Sequence, residues 1–131
     1  MGRITQTPST RLALASIAPD GAISLSDERR YASASAPDLD ALVRDWLSRA
    51  AAPVTGASLA VAGPVVGNRC QTTNLPWSLD GDALAAATGL RSARLLNDFA
   101  AAAWGTLALT DATRIPLQQG RFDEAAPRVV I

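Results

Sequence analysis

Leu95-Leu96-Asn97-Asp98-Phe99 is the stretch on which the fold turns. A short apolar run, Ala93 to Leu96, passes straight into an amide and a carboxylate. The alanine-rich run Phe99 to Leu107 then continues as a helix. A strand that gives way at once to a helix is the unit from which α/β sheets are built, and ligands of open α/β sheets gather beyond the carboxyl ends of the strands. Asn97 and Asp98 therefore occupy a functional position. A carboxylate there can take a proton from a substrate hydroxyl, and an amide can exchange hydrogen bonds with neighbouring hydroxyls. The same residues also suit the plainer role of capping the helix that follows. The pentamer alone leaves both readings open.

Working outward toward the N-terminus, Arg11 to Ile17 is apolar enough for a largely buried strand, Pro19-Asp20-Gly21 is a turn, and Ile23 to Arg30 alternates, so the segment reads as a β-hairpin. Ser35-Ala36-Pro37-Asp38 has the composition of a helix start, with Ser35 as the cap. Leu39, Leu42, Val43, Trp46 and Leu47 follow at helical spacing as one apolar stripe, and Pro53 closes that region. Gly56 to Ala62 reads as a buried strand ending at Gly63-Pro64. Val65 to Arg69 reads as a second tight hairpin turning at Gly67-Asn68. Asp80 caps a helix over 81–88, and Gly89 suits the position just past its end. Ile115 to Leu117 and Arg128 to Ile131 are candidates for further strands. Hairpins followed by strands alternating with helices indicate an α/β domain with a mixed sheet covered by helices.

Two more stretches invite chemistry. Thr72-Thr73-Asn74-Leu75-Pro76-Trp77 sets hydroxyl and amide groups beside a large aromatic, a combination suited to a sugar with its hydroxyls on an apolar ring. A turn with Trp77 packed into the core explains the same residues. Ala60-Val61-Ala62-Gly63-Pro64 offers a glycine where backbone can approach a ligand, or simply a strand running into a turn.

Composition limits the field. The 131 residues balance twelve Lys+Arg against twelve Asp+Glu, with no histidine. A nucleic-acid binder would show a basic excess or stripe. No apolar run reaches the roughly 18 residues of a membrane helix, and no signal-peptide core is present. The single Cys70 cannot form an internal disulfide, and without histidine a zinc site is not expected. Charged residues make up 18%, below the roughly 25% usual in soluble domains, so the expectation is a cytoplasmic domain slightly apolar for its length.

Taken in order, Ala62-Gly63-Pro64, Thr73 to Trp77 and Leu96 to Phe99 resemble the bacterial glucokinase family over roughly residues 10–131. The resemblance implies the ribonuclease-H-like, actin-like ATPase fold of sugar kinases. It also implies ATP-dependent phosphorylation of glucose at the 6-hydroxyl, a step of glycolysis, with Mg²⁺ handling the phosphate charge. By it Asp98 matches the catalytic base and Asn97 binds a sugar hydroxyl, with Thr73 and Asn74 lining the same pocket. The partners implied are glucose or a similar hexose, a C-terminal lobe and, among assemblies, a homodimer.

The resemblance fails in residues 1–9. The family opens with Asp-x-Gly-Gly-Thr-x-x-Arg, whose backbone approaches the ATP phosphates. Alignment on Arg11 sets Ile4 at the aspartate, Gln6 and Thr7 at the glycines, and Pro8 at the threonine. The carboxylate is lost, bulk fills the approach, and Pro8 removes a backbone N–H. Arg128 to Ile131 is similar to the strand leading into the family's second glycine-rich loop, so the expectation is an N-terminal lobe, incomplete, with little kinase activity of its own. The competing expectations are a non-catalytic sugar-binding or interaction module and a pseudogene remnant lacking the ATP site.

Overall fold

The computed structural model describes residues 8–72, 75–113, 115, 120–121 and 125. Strands β1 (Ser9–Ile17) and β2 (Ile23–Ala32) form the expected antiparallel hairpin, from Ser9 opposite Ala32 to Ile17 opposite Ile23, but β1 is half-buried to exposed where the sequence suggested a largely buried strand. The register shifts between Leu12 and Leu14, where β2 carries an extra residue and Asp27 adopts φ +48°. Such a bulge bends the strand and re-aims its neighbours. Here the Asp27 carbonyl accepts from the Trp46 indole N–H at 3.3 Å, which ties the hairpin to the first helix.

That helix, α1 (Leu39–Leu47), buries Leu39, Leu42, Val43 and Trp46 as the apolar stripe demands, with Leu47 half-buried. Its cap is Asp38, whose carboxylate accepts from the Ala41 N–H at 2.8 Å, and Ser35 has a different role. A residue before proline is pushed away from helical geometry. Ala36, just before Pro37, is accordingly extended (φ −126°, ψ 149°), so no α-helix can start until the proline is passed. Ser35 instead closes a short 3₁₀ turn, its hydroxyl donating to the Ala32 carbonyl at 2.6 Å.

The remainder follows as β3 (Gly56–Val61), β4 (Arg69–Gln71), β5 (Ser78–Asp80), α2 (Gly81–Thr88), β6 (Ser92–Asn97) and α3 (Asp98–Gly105). Strands β3 and β6 are parallel, from Gly56 opposite Ser92 to Val61 opposite Asn97, and β4 and β5 are antiparallel. Asp80 caps α2 by accepting from the amides of Asp82 and Ala83, both at 3.0 Å, and Gly89 ends it in the left-handed conformation, as read from the sequence. The helix begun at Asp98 tightens into a 3₁₀ turn over Thr106–Ala108. Ile115 lies in no strand, and the other positions of the two C-terminal strand expectations fall outside the described residues.

Parallel and antiparallel pairing are thus both present, distributed over three two-stranded ladders among the described residues. Strand neighbours in a shared ladder lie about 4.8 Å apart. Between β1 and β3 there is instead a cavity of about 800 Å³, lined by every residue from Ser9 to Ala15 and from Gly56 to Ala62. The core lies where α1 and α2 cover β3, β5 and β6: Leu84 is 2% exposed, Ala93 1% and Leu95 5%. Each such leucine contributes about 1.5–3 kcal/mol by leaving water.

Candidate functional site

Because β3 and β6 run in parallel, their carboxyl ends emerge side by side, with Val61 opposite Asn97. The structure therefore joins two of the sequence motifs at one edge: Ala62-Gly63-Pro64 beyond β3 and Asn97-Asp98 at the end of β6. The Asn97 amide Nδ2 donates to the Gly63 carbonyl at 3.0 Å. Gly63 sits at φ +147°, and a Cβ there would fall 3.0 Å from Cys70 Sγ and 3.3 Å from the Gln71 carbonyl oxygen. Its backbone conformation would strain any side chain, and its surroundings leave a Cβ in tight contact.

Asn97 is also the cap of α3, its Oδ1 accepting from the N–H groups of Phe99 at 3.0 Å and Ala100 at 3.2 Å. A side-chain amide has two acceptor lone pairs and two N–H donors. Both lone pairs are engaged and one N–H is spent on Gly63, so Asn97 has one N–H left and can meet a hydroxyl only as a donor. Asp98 is the first residue of α3 and exposed. Its Oδ1 accepts from the Phe99 N–H at 3.0 Å, and its Oδ2 has no protein partner among the described residues. The two roles that the pentamer left undivided fall on different residues: Asn97 caps, and Asp98 presents a carboxylate oxygen to solvent beyond the strand.

Of the third motif the structure describes Thr72 and residues 75–77. Thr72 closes the loop, its hydroxyl donating to the carbonyls of Leu75 at 2.8 Å and Trp77 at 3.1 Å. Trp77 is 6% exposed and belongs to the core, the second of the two roles that its sequence allowed. Thr73 and Asn74, together with Ile4, Gln6 and Thr7, lie outside the described residues. The large cavity touches Ala62 and Thr72 but neither Asn97 nor Asp98, so it is separate from this site. Among the described residues, the two carboxyls with shifted titration also lie elsewhere. Burial, aided by the neighbouring Asp38, raises Asp40, whereas the Ala83 amide and Arg69 hold Asp80 below its ordinary value. Sequence reasoning missed Asn68, which it placed only in a turn. In the structure its side chain reaches β6, donating to the Ala93 carbonyl at 3.0 Å and accepting from the Leu95 N–H at 2.9 Å.

Comparison with known proteins decides the family. The sequence model of the Glucokinase family matches residues 5–131. The chain belongs to the glucokinase family. A glucokinase of Nostoc sp. is 38% identical over 106 residues, covering 79% of this chain and 31% of the relative. A glucokinase of Tolumonas auensis is 36% identical over 107 residues, covering 82% of this chain and 32% of that protein. The crystal structure of a glucokinase from an Antarctic psychrotroph superposes with a TM-score of 0.77 at 28% identity, over 92% of this chain and 38% of that one. The sugar-kinase, actin-like ATPase fold expected from the sequence is therefore present. The chain spans about a third of the length of the curated glucokinases that it matches.

Glucokinase membership implies the use of ATP, usually with Mg²⁺. Pro8 has no backbone N–H to offer a phosphate, and its carbonyl already accepts from the Ser33 N–H at 2.9 Å. Among the described residues no three carboxylate, cysteine or histidine side chains stand together, an arrangement that a magnesium ion held mainly by substrate phosphates and water does not need. No helix among them is long and apolar enough to cross a membrane.

Proposed function

We propose that this chain carries the sugar side of a glucokinase site, with Asp98 as the proton acceptor and Asn97 as a hydroxyl donor, and that its ATP side has been lost. The observation that carries the reading is the paired ends of β3 and β6, where Asn97 bonds Gly63 at 3.0 Å and leaves the Asp98 carboxylate exposed. In the glucokinase reaction the 6-hydroxyl oxygen of glucose bonds to the γ-phosphorus of ATP, and the bond to the departing ADP breaks. The part within reach of these residues is removal of the hydroxyl proton, which passes to an Asp98 carboxylate oxygen. Asn97 orients the sugar through its remaining N–H, and Thr73 and Asn74 complete the contacts. Residues 10–131 act as the N-terminal lobe, and residues 1–9 carry the altered phosphate loop. Ile4, Gln6, Thr7 and Pro8 replace the residues that would approach phosphate, so the chain handles hexose without phosphorylating it at the rate of an intact glucokinase. Its natural setting in this reading is the cytoplasm.

The test pairs glucose titration of the ¹⁵N-labelled chain with a coupled assay for glucose 6-phosphate. The expected result is a shift of the Asn97 side-chain and Asp98 backbone resonances at millimolar glucose, absent with a non-sugar polyol, and no ATP-dependent product. No shift at these residues refutes the sugar reading. Turnover near the rates of intact glucokinases refutes the loss of the ATP side.

A further inference from the structure

We propose that Asn68 is a positioning residue for this site, acting through β6 on Asn97 and Asp98; the functional half of the inference rests on the reading above. Strand β6 has β3 along one edge. On the other edge the Asn68 side chain takes the place of a strand neighbour: Nδ2 donates to the Ala93 carbonyl at 3.0 Å, and Oδ1 accepts from the Leu95 N–H at 2.9 Å. A side-chain amide carries the same donor and acceptor as a backbone peptide, so one residue supplies a complete rung of a ladder. Ala93 and Leu95 are 1% and 5% exposed, which leaves little water to satisfy these two groups if the rung is lost.

The placement of Asn68 is fixed from every side. It lies at φ +60° beside Gly67 at φ +57°, in a turn closed by reciprocal N–H to carbonyl bonds between Val66 and Arg69, both 3.0 Å. Its own carbonyl accepts from the Gly81 N–H at 3.0 Å, and its second side-chain N–H reaches Asp82 Oδ1 at 2.9 Å. A Cβ on Gly81 would fall 2.5 Å from Nδ2 and 2.6 Å from the Ala93 carbonyl oxygen, so the glycine makes room for the amide. No other side chain meets these demands together. Aspartate offers an acceptor where Ala93 needs a donor, glycine keeps the left-handed backbone without the amide, and glutamine is a methylene too long.

From Leu95 to Asn97 is two residues, about 7 Å along a strand. Asn97 in turn holds Gly63 and opens the helix that carries Asp98, so the rung sets where the proton acceptor stands. A single polar side chain in the turn of the chain's second hairpin therefore governs the geometry of a site on a different ladder.

The experiment uses the ¹⁵N-labelled chain as wild type, Asn68→Gly, Asn68→Asp and Asp82→Ala. Without glucose, amide exchange at Leu95 and the position of the Asn97 side-chain resonances are recorded. Asn68→Gly is expected to speed Leu95 exchange at least tenfold and to move the Asn97 side-chain resonances, with the β1–β2 hairpin unchanged. Asp82→Ala is expected to do neither, because it removes a contact of Asn68 and leaves the rung. Wild-type exchange at Leu95 and wild-type Asn97 resonances in Asn68→Gly overturn the proposal. If Asn68→Gly fails to fold, Asn68→Asp decides: displaced Asn97 resonances support the proposal and wild-type ones overturn it. With glucose, the shifts at Asn97 and Asp98 are expected to fall at least twofold in Asn68→Gly or Asn68→Asp, and undiminished shifts overturn the functional half. A wild-type chain that shows no glucose shift refutes the sugar reading and leaves the glucose-free measurements to judge Asn68.

Discussion

Replacing Asn97 separates two jobs that one side chain performs. Asn97→Ala removes the cap of α3, worth about 1 kcal/mol for an ordinary N-cap. It also removes the part-buried bond from Nδ2 to the Gly63 carbonyl, 3.0 Å long, worth about 1 kcal/mol net. The two together destabilise the chain by about 2 kcal/mol, and with a urea dependence of about 2 kcal/mol per molar the unfolding midpoint falls by about 1 M. Asn97→Asp is the sharper variant. Aspartate caps a helix as well as asparagine does, so a residue that only capped would tolerate the exchange. Here the exchange sets a carboxylate oxygen against the Gly63 carbonyl in place of a donor, and leaving that acceptor unsatisfied costs about 1–3 kcal/mol. Urea unfolding followed by tryptophan fluorescence measures both variants, since Trp46 and Trp77 are core residues. A midpoint for Asn97→Asp equal to wild type would show that the Gly63 bond contributes nothing and that the two motifs are merely adjacent.

Asp98→Asn is expected to leave stability within about 0.5 kcal/mol of wild type, since an exposed side chain is exchanged for one that can keep the Phe99 contact, while the glucose-dependent resonance shifts of Asp98 change. Leu84→Ala, at a position 2% exposed in the core, should cost about 2–5 kcal/mol in urea unfolding, enough to threaten the fold of a chain this size. Gly81→Ala should destabilise strongly as well, and Leu95 amide exchange should quicken with it, because the added methyl meets the Asn68 amide and the Ala93 carbonyl. Asp80 titrates below 3.8 in the folded chain and near 3.8 when unfolded, so its stabilisation is complete above that pH and disappears as pH falls through the lowered folded value. Asp80→Asn, which keeps a capping oxygen, should flatten the acid limb of a thermal-stability profile as pH falls below the ordinary carboxylate range, and an unchanged limb would contradict the assignment.

The elements with local causes were legible in the sequence. The stripe Leu39, Leu42, Val43, Trp46, the Gly67-Asn68 turn and the Asp80-to-Gly89 helix each rest on period, turn chemistry or capping within a few residues. Ser35 misled because several capping residues stand together, and Pro37 decides among them only through the backbone of Ala36. The site was legible in part: strand, polar pair and helix around Asn97 placed it at a strand end. That Asn97 and Gly63 are neighbours depends on β3 and β6 pairing in parallel across the intervening β4, β5 and α2, which no local pattern records. Asn68 stayed hidden for the same reason, since Asn after Gly in a hairpin needs no explanation beyond its positive φ. The division of the strands into separate ladders was likewise beyond reach, because alternation shows which residues face a core and not which strand edges meet.

The gap between β1 and β3 bears on how the molecule behaves in company. A cavity bordered by consecutive residues of two strands is bordered by their edges, because successive side chains point to opposite faces. Among the described residues β1 pairs only with β2 and β3 only with β6, so each carries a row of peptide groups without a ladder partner. Rows of that kind template the addition of further strands from other molecules. One protection is mutual repulsion between molecules, and this chain, with twelve cationic and twelve acidic side chains at net zero, gains little from it near neutral pH. Concentration and distance from the isoelectric point of about 6.1 thus become the quantities that decide whether the chain stays dispersed or associates edge to edge.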